Sequence, residues 1–293
     1  MRILCLSITV SLILFQPCAK AQALRSDIIN IASKAQGIVG VSILNIETQD
    51  TLSYNGSYHC PMQSVFKFPI AMAVLHEVDM GKLKLDQKIH FEKKDLEKGT
   101  WSPIADKYPE ADVDITLDEI LRQTVSHSDN IGCDLLLKAI GGPEKANRYI
   151  HSLGVKGMAI KYTEKQMHKG WKVQYENWCE PREMTHLLGI LFKGNALSVS
   201  SRDFLYRVMT ETTTGPGRIR GLLPKNTIVA NKTGTGGRKN GIGSAMNDAG
   251  IISLPNGQHL AVTVFVTDAK ADDETREAII AKISKAAYDH WSK

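Results

Sequence analysis

The sequence predicts an α+β fold, an α/β sandwich in which an antiparallel sheet of about five strands is flanked by N- and C-terminal helices, together with an all-α subdomain. Two observations predict this class. Runs rich in β-branched residues occur near both ends of the chain, whereas the middle repeats apolar residues with helical spacing. Strands from both ends would share one sheet, with the helical middle inserted between them.

The first elements are a helix, two strands and a second helix. Apolar residues recur with helical spacing over Ala23–Ala35, and the pattern predicts strands over Ile38–Leu44 and Asp50–Tyr54. An apolar run, Val65–Val78, predicts the second helix and contains Pro69. Proline inside a helix removes one backbone hydrogen bond and costs about 3 kcal/mol or causes a kink.

From Gly81 to about Gly221 the signals are mainly helical. Thr116 and Glu119 resemble a capping box at one helix start. The segment Ile160–Cys179 is polar, aromatic and aperiodic, and such a segment inside a compact domain is usually functional. The predicted helices cover Ile115–Thr124, Ile131–Ile140, Pro143–Leu153, Pro181–Phe192 and Ser200–Thr210.

The pattern returns to strands after Ile228 and ends in a helix. Asn256-Gly257, between two apolar runs, is a strong hairpin signal. The strands are predicted over Ile228–Thr235, Ala245–Leu254 and Leu260–Thr267, and the helix over Ala271–Trp291. We predict one domain over residues 22–293, with an α/β part at about 22–60 and 215–293 and an all-α part at about 61–214.

The N-terminus is typical of a secretory signal peptide over residues 1–21. Arg2 precedes the apolar run Ile3–Phe15, which is too short to span a membrane, and Ala19-Lys20-Ala21 matches a small-x-small cleavage site. Cleavage near Ala21 would lower the formal net charge from +5 to +3. We expect a periplasmic or secreted monomer without a stable membrane anchor. A lipid on Cys18 is the alternative, although Pro17 stands where that signal has a small residue.

The charges are mixed along the chain, with no basic block of five or more residues, which argues against nucleic acid as a partner. Three cysteines remain after the signal: Cys60, Cys133 and Cys179. An odd number leaves at least one free thiol, and we interpret all three as small buried hydrophobic residues.

A serine and a lysine three residues apart open the second helix. On a helix, residues i and i+3 share one face, so the Ser64 hydroxyl and the Lys67 amine point into the same space. A desolvated lysine can take the serine proton and make a nucleophile. Alone this spacing is weak, because most such pairs lie on a solvated helix face. Ser128-Asp129-Asn130 and Lys232-Thr233-Gly234 complete a known set of three motifs in the expected order.

With these motifs the sequence resembles the class A serine β-lactamases over essentially the whole mature chain. The resemblance implies the β-lactamase/transpeptidase-like fold and hydrolysis of penicillins and cephalosporins, without cofactor or metal. Three stretches look most like the PER/VEB type of extended-spectrum enzymes, in which a reshaped loop goes with room for oxyimino-cephalosporins. They are residues 63–67, 126–130 and 211–215.

The resemblance assigns roles to the motif residues. Ser64 is the nucleophile, Lys67 lies beside it, and Ser128 passes a proton to the leaving lactam nitrogen with Lys232 polarising its hydroxyl. The remaining positions bind substrate, and the backbone N–H groups of Ser64 and Thr235 form the oxyanion hole. The substrate-binding residues are Asn130, Thr233, Gly234 and Thr235.

Glu164, in the aperiodic segment, corresponds to the glutamate that activates the deacylating water in the family. Whether this glutamate or Lys67 is the acylation base stays open. The commoner pattern Glu-x-x-Leu-Asn is replaced here, so His168 stands where an asparagine holds the water. Tyr162 and Asn177 replace the arginine and aspartate that usually bridge the loop ends. The conformation of this loop is therefore not predictable from the resemblance.

Three further interpretations concern the mouth of the site. Arg218 resembles an arginine that binds the substrate carboxylate, and its alternative is a surface side chain. Trp101 would form an apolar wall, or simply pack. Arg238 and Lys239 would add positive charge at the edge, but a solvated position is the simpler interpretation.

The runner-up functions share the motifs. A D,D-peptidase or penicillin-binding protein acylates on the same serine, but Glu164 and the small chain count against it. A non-hydrolysing penicillin sensor would need a membrane segment. A metallo-hydrolase is disfavoured, because no two of the nine histidines stand at ligand spacing.

Overall fold

The computed structural model describes residues 16–194 and 196–293. The predicted signal segment therefore lies mostly outside the described residues. No helix in the described ranges is both long enough and apolar enough to cross a bilayer.

The predicted antiparallel sheet is present and joins both ends of the chain. Its strands lie in the order β2-β1-β11-β10-β8, and β9 extends the edge by pairing with β10. β10 and β11 form the predicted hairpin, with Ser253 opposite His259 across the turn. The strands of the described residues are β1 Ile38–Asn45, β2 Thr51–Tyr54, β3 Cys60–Pro61, β4 Lys88–Phe91, β5 Val113–Thr116, β6 Met158–Ala159, β7 Trp178–Cys179, β8 Val229–Thr235, β9 Arg238–Lys239, β10 Ile242–Ser253 and β11 His259–Ala269.

The helices follow the predicted positions closely, which confirms the α+β class. The helix predicted from Ile115 begins at Leu117, because residues 113–116 pair with β4. Thr116 Oγ1 caps it by accepting from Glu119 N at 3.2 Å. The helices in the described ranges are α1 Gln16–Ala32, α2 Lys67–Asp79, α3 Pro103–Lys107, α4 Leu117–Ser126, α5 Asn130–Ile140, α6 Pro143–Ser152, α7 Glu164–Met167, α8 Pro181–Lys193, α9 Val199–Thr210 and α10 Asp273–Trp291.

The sheet separates two hydrophobic cores. Val262, Val264 and Val266 of β11 pack with α1 and α10, whereas Ala261 and Phe265 of the same strand belong to the larger core with the central helices. Side chains alternate between the faces of a strand, so one strand serves both cores. This explains why β10 and β11 are buried along almost their whole length. The predicted boundaries between the α/β part and the all-α part, at residues 60/61 and 214/215, stay a prediction.

The start of α2 positions the nucleophile and accommodates the proline. Ser64 lies in the 3-10 helix Gln63–Phe66, which runs directly into α2 at Lys67. Pro69 is therefore the third residue of α2. It lies just after the junction at which the hydrogen-bond pattern changes from the 3-10 to the α type.

The three cysteines are buried and unpaired, as predicted. Burial raises the pKa of the Cys60 thiol to about 12, and it raises the pKa values of Cys133 and Cys179 well above the usual range. Reaction with a disulfide reagent requires the thiolate, which burial disfavours.

We predict that the chain without residues 1–21 shows no reactive thiol in the native state at pH 8. All three thiols should react once denaturant unfolds the protein, which a colorimetric disulfide reagent would measure. A thiol that reacts in native buffer as fast as free cysteine would contradict this burial.

Candidate active site

The three motifs meet in one open cavity of about 240 Å³ between the sheet edge and the central helices. β8 supplies one wall, the turn before α5 supplies the opposite wall, and the 3-10 helix with Ser64 lies at the bottom. The lining residues are Ser64, Trp101, Ser128, Asn130, Thr214, Thr233, Gly234 and Thr235.

Lys67 is fully buried and contacts the nucleophile. Its Nζ lies 3.0 Å from Ser64 Oγ, 2.8 Å from the Ser128 carbonyl oxygen and 2.5 Å from Asn130 Oδ1. An ammonium group has only three protons to donate. Because Glu164 is a further neighbour, the contacts compete, and a small shift of the amine changes which oxygen it serves.

Gly234 allows the sheet to lie directly against Ser64. A Cβ atom at this position would lie 2.5 Å from the Met62 carbonyl oxygen and 3.1 Å from Val65 N. Any side chain would push β8 away from the 3-10 helix. The glycine of the third motif therefore has a steric reason, and it brings the backbone at Thr235 close to the nucleophile.

Ser128 and Lys232 form the second hydrogen-bonded pair in the cavity. Lys232 Nζ lies 2.9 Å from Ser128 Oγ, and Ser128 adopts a left-handed backbone with φ 62°. Such a conformation is uncommon outside glycine and concentrates at functional sites. Burial, together with the nearby charge of Lys67, lowers the pKa of Lys232 well below its usual range. The Ser128 hydroxyl thus lies within hydrogen-bond distance of a buried amine.

Glu164 is the carboxylate partner of the buried lysine. Its Oε1 is 2.8 Å from Lys67 Nζ, and the side chain is 7% exposed. This contact is an ion pair without hydrogen-bond geometry, so among the described residues Oε1 has no directed hydrogen-bond donor. A buried carboxylate oxygen in this state retains the capacity to accept a proton from a small donor.

Asp134 fixes the helix that carries Glu164, a role that sequence reasoning missed. Its Oδ1 accepts from Glu164 N at 2.7 Å, and its Oδ2 accepts from Lys165 N at 3.0 Å. The carboxylate thus satisfies two N–H groups at the start of α7. The available signal was its position four residues after Asn130, on the same face of α5. Burial raises the pKa of Asp134 to about 6.

The ends of the segment 160–179 are joined by a buried amide and by an exposed ion pair, in which Lys161 Nζ lies 2.8 Å from Glu176 Oε2. Asn177 is fully buried, and its Oδ1 accepts from Lys161 N at 2.8 Å and Tyr162 N at 3.0 Å. Its Nδ2 donates to the Tyr162 carbonyl at 2.8 Å. The segment also contains α7 and a 3-10 helix, Val173–Glu176, so it is more ordered than its aperiodic sequence indicates.

His168 follows α7 and lies outside the residues that line the cavity. Its side chain is 46% exposed, and Nδ1 is 3.5 Å from Glu97 Oε1. The structure therefore brings His168 to a neighbouring carboxylate, and its contact with a catalytic water stays a prediction.

Arg218 is buried beneath the cavity instead of lying on the surface. Four of its five N–H bonds point at protein acceptors, namely Glu277, the carbonyls of Gly234 and Asn247, and Thr235 Oγ1. The contact to Thr235 Oγ1 is 2.6 Å. Because that oxygen accepts from Arg218, the Thr235 hydroxyl proton is free to point into the cavity.

The outer positions divide between the cavity and the surface. Trp101 lines the mouth at 59% exposure and donates its indole N–H to the His127 carbonyl at 2.8 Å. Arg238 donates to the Ala271 carbonyl at 2.6 Å, and Lys239 lies over the Trp171 ring. Neither lines the cavity. Asp129 has a structural role, since its carboxylate accepts from Ile104 N and Gly132 N.

Comparison with known proteins gives consistent matches over almost the whole chain. A model of the β-lactamase enzyme family matches residues 23–291. β-Lactamase VEB-1 of Pseudomonas aeruginosa is 46% identical over 275 residues, which cover 93% of this chain and 92% of that protein. Extended-spectrum β-lactamase PER-1 of Pseudomonas aeruginosa is 41% identical over 279 residues, covering 95% and 91%.

Comparison with solved structures leads to the same family. The crystal structure of a β-lactamase from Chitinophaga pinensis superimposes with a TM-score of 0.90 at 50% identity, covering 91% of this chain and 98% of that one. This match independently confirms the predicted fold.

We predict that Asp134 makes stability depend on pH. Its pKa is about 6 in the folded protein and about 3.8 without burial. A raised pKa means that the stabilising contribution is present below about pH 4 and is lost as the pH rises through about 6. The free energy of unfolding of Asp134→Asn relative to the unmodified protein should therefore rise between these pH values, by at most about 3 kcal/mol.

Denaturant titrations from pH 4 to 8 would measure this difference. Asp86→Asn, at an exposed carboxylate, is the control for removing one negative charge. Parallel stability curves for Asp134→Asn and the unmodified protein would contradict the prediction.

Proposed function

Because the chain belongs to the class A serine β-lactamases, which hydrolyse β-lactam antibiotics and thereby confer resistance, we propose that it acts through an acyl-enzyme on Ser64 that Glu164 helps to hydrolyse. The observation that carries this mechanism is the buried Lys67 amine, which contacts both Ser64 Oγ and Glu164 Oε1. One amine between a nucleophile and a carboxylate connects the two chemical steps.

Acylation begins with attack of Ser64 Oγ on the lactam carbonyl. The proton leaves toward Lys67 or, through a bridging water, toward Glu164. The developing oxyanion is stabilised by the backbone N–H groups of Ser64 and Thr235, which Gly234 keeps close together. Donors of this kind contribute about 3 to 4 kcal/mol each in other enzymes.

Ring opening requires a proton on the departing nitrogen. Ser128 Oγ is the donor in this proposal, since it faces the cavity and lies 2.9 Å from Lys232 Nζ. Ser128 recovers a proton from Lys67, whose Nζ lies 3.5 Å from Ser128 Oγ, so the proton taken from Ser64 during the attack is the one that the nitrogen finally gains.

Deacylation needs a base beside the ester carbonyl. Glu164 Oε1 is buried near Ser64, ion-paired with Lys67 and without a directed donor among the described residues, which suits it to accept a proton from an attacking water. The two backbone bonds from Asp134 hold the start of α7 and thereby limit the movement of this carboxylate.

Recognition of the substrate depends on its carboxylate and its acylamino group. The Thr233 and Thr235 hydroxyls, backed by the charge of Arg218, bind the carboxylate. The Asn130 Nδ2 binds the acylamino carbonyl, and Trp101 covers the ligand at the mouth. The similarity to an extended-spectrum relative, PER-1, supports oxyimino-cephalosporins as part of the substrate range. Export after cleavage near Ala21 and a monomeric state complete the proposal.

The test is turnover of a chromogenic cephalosporin by the mature protein, followed by mass spectrometry of the intact chain. Rapid turnover supports the proposal. A stable stoichiometric adduct without turnover would instead indicate a penicillin-binding protein or a sensor.

We predict that Glu164→Gln traps the acyl-enzyme. Glutamine keeps the size and hydrogen bonding of the side chain but cannot accept a proton, so the second step slows selectively. A cephalosporin should give a burst of one opened lactam per protein, followed by slow release, with the adduct on Ser64. Ser64→Ala is the matched control and should form no adduct. If Glu164→Gln turns over the cephalosporin at nearly the rate of the unmodified protein and accumulates no adduct, Glu164 is not the deacylation base.

For Arg218→Ala we predict a higher KM for anionic substrates with a smaller change in kcat. The variant removes the charge behind Thr235 and frees the hydroxyl that Arg218 now orients. Steady-state kinetics on several penicillins and cephalosporins would measure the effect. If KM stays unchanged for all of them, Arg218 has only a structural role.

A further inference from the structure

A single buried amide joins the segments around the cavity floor. Gln174 lies in the 3-10 helix of the Glu164 segment and is 8% exposed. Its Oε1 accepts from Gln63 Nε2 at 2.6 Å and from Ser244 Oγ at 2.8 Å, while its Nε2 donates to the Trp171 carbonyl at 2.7 Å. All three contacts are hydrogen bonds of good length.

The two donors belong to different parts of the site, Gln63 to the floor and Ser244 to the sheet. Gln63 immediately precedes the nucleophile and adopts a left-handed backbone with φ 48°. Ser244 lies on β10, beside the connection between β8 and β9. At Gly236 in that connection, a Cβ atom would lie 2.1 Å from Ser244 Oγ and 3.0 Å from Gln63 Nε2. The connection therefore packs directly on the hydrogen-bonded group.

The chemistry of the contacts requires an amide at position 174. The Gly237 carbonyl already accepts from Ser244 N at 3.0 Å, so the single Ser244 hydroxyl proton is available to Gln174 at the shorter distance of 2.8 Å. The amide oxygen then uses both of its lone pairs, and its nitrogen donates to a carbonyl. A carboxylate lacks this donor, and an apolar side chain lacks both functions.

This link spans the gap that an acylamino group would enter. In a β-lactam, the acylamino group is attached next to the lactam carbonyl, on the opposite side of the bicycle from the carboxylate. If the carboxylate binds at Thr233 and Thr235, as proposed above, the acyl group would project from Ser64 between the Glu164 segment and the edge at residues 235–239. A bulky acyl group pushes these walls apart, and the Gln174 bonds oppose that movement.

We infer that Gln174 is a positioning residue that keeps Glu164 in place when the substrate carries a bulky acylamino group. This inference rests on the proposed function. A small substrate does not push the walls apart, so the hydrogen bonds of Gln174 have little effect on its turnover. With an oxyimino-cephalosporin, loss of the link lets the Glu164 segment move after the acyl-enzyme has formed.

The test compares Gln174→Met with the unmodified mature enzyme on two substrates. For an oxyimino-cephalosporin, kcat should fall about tenfold or more, the size expected for losing a hydrogen bond to a buried acceptor. Because acylation is unaffected, KM should fall in parallel, kcat/KM should change little, and mass spectrometry should show accumulated acyl-enzyme. For 6-aminopenicillanic acid, which has no acyl group, kcat should change less than about threefold.

Two further variants test whether the hydrogen bonds from Gln63 and Ser244 both act through Gln174 Oε1. Gln63→Met and Ser244→Ala each remove one donor to Gln174 Oε1, so each should lower cephalosporin kcat and neither should add to Gln174→Met. Gln258→Met is the matched control. That glutamine accepts from Asn45 Nδ2 at 2.9 Å at the turn between β10 and β11, and its loss should leave both substrates unaffected.

Equal losses on both substrates, or slow cephalosporin turnover without accumulated acyl-enzyme, would overturn the inference. If Gln174→Met fails to fold, the two single-donor variants decide the question, because each breaks one of the same bonds. Measurements on the unmodified enzyme distinguish a failure of this inference from a failure of the proposed function. If it fails to turn over both substrates, the proposed function is wrong, whatever the variants show.

Discussion

The burial of the Lys67 amine is the constraint on which the rest of the site depends. Removing a cation from water costs several kcal/mol unless acceptors surround it. The side chain is 0% exposed, and its acceptors come from its own helix start, from the turn at residues 128–130 and from the Glu164 segment. Satisfying this one group therefore brings three distant parts of the chain together, and the same contacts assemble the nucleophile and the base.

Two further buried cations, Lys232 and Arg218, lie beside the same cavity on its sheet side. Lys232 is also fully buried, and the charge of Lys67 helps to lower its pKa. Arg218 lies on the same side of the cavity, behind the end of β8, where Glu277 and backbone carbonyls hold it. The charge of Lys67 therefore disfavours the charged form of Lys232, whereas the buried carboxylates of Glu164 and Asp248 favour it.

The sequence was sufficient to predict most of the fold and the short motifs, because both are local properties. Ser64 and Lys67 meet through helix spacing, and the sheet follows from alternating apolar runs at both chain ends. The contacts of Asn177 and Gln174 could not be predicted, since each joins residues that are adjacent only after folding. For Asp134 the sequence offered only its position on the same helix face as Asn130. Arg218 was assigned by resemblance, but its burial and its four protein acceptors are tertiary facts.

The central claim is that Lys67 and Glu164 stabilise each other as one buried unit, and a double-mutant cycle on the free energy of unfolding tests it most directly. Lys67→Met and Glu164→Gln would be measured singly and together by denaturant titration at pH 7. Removing one partner leaves the other buried without its counter-charge, whereas removing both does not. The account predicts a coupling of at least about 2 kcal/mol, with the double variant more stable than the sum of the single effects. Additivity within about 0.5 kcal/mol would contradict it.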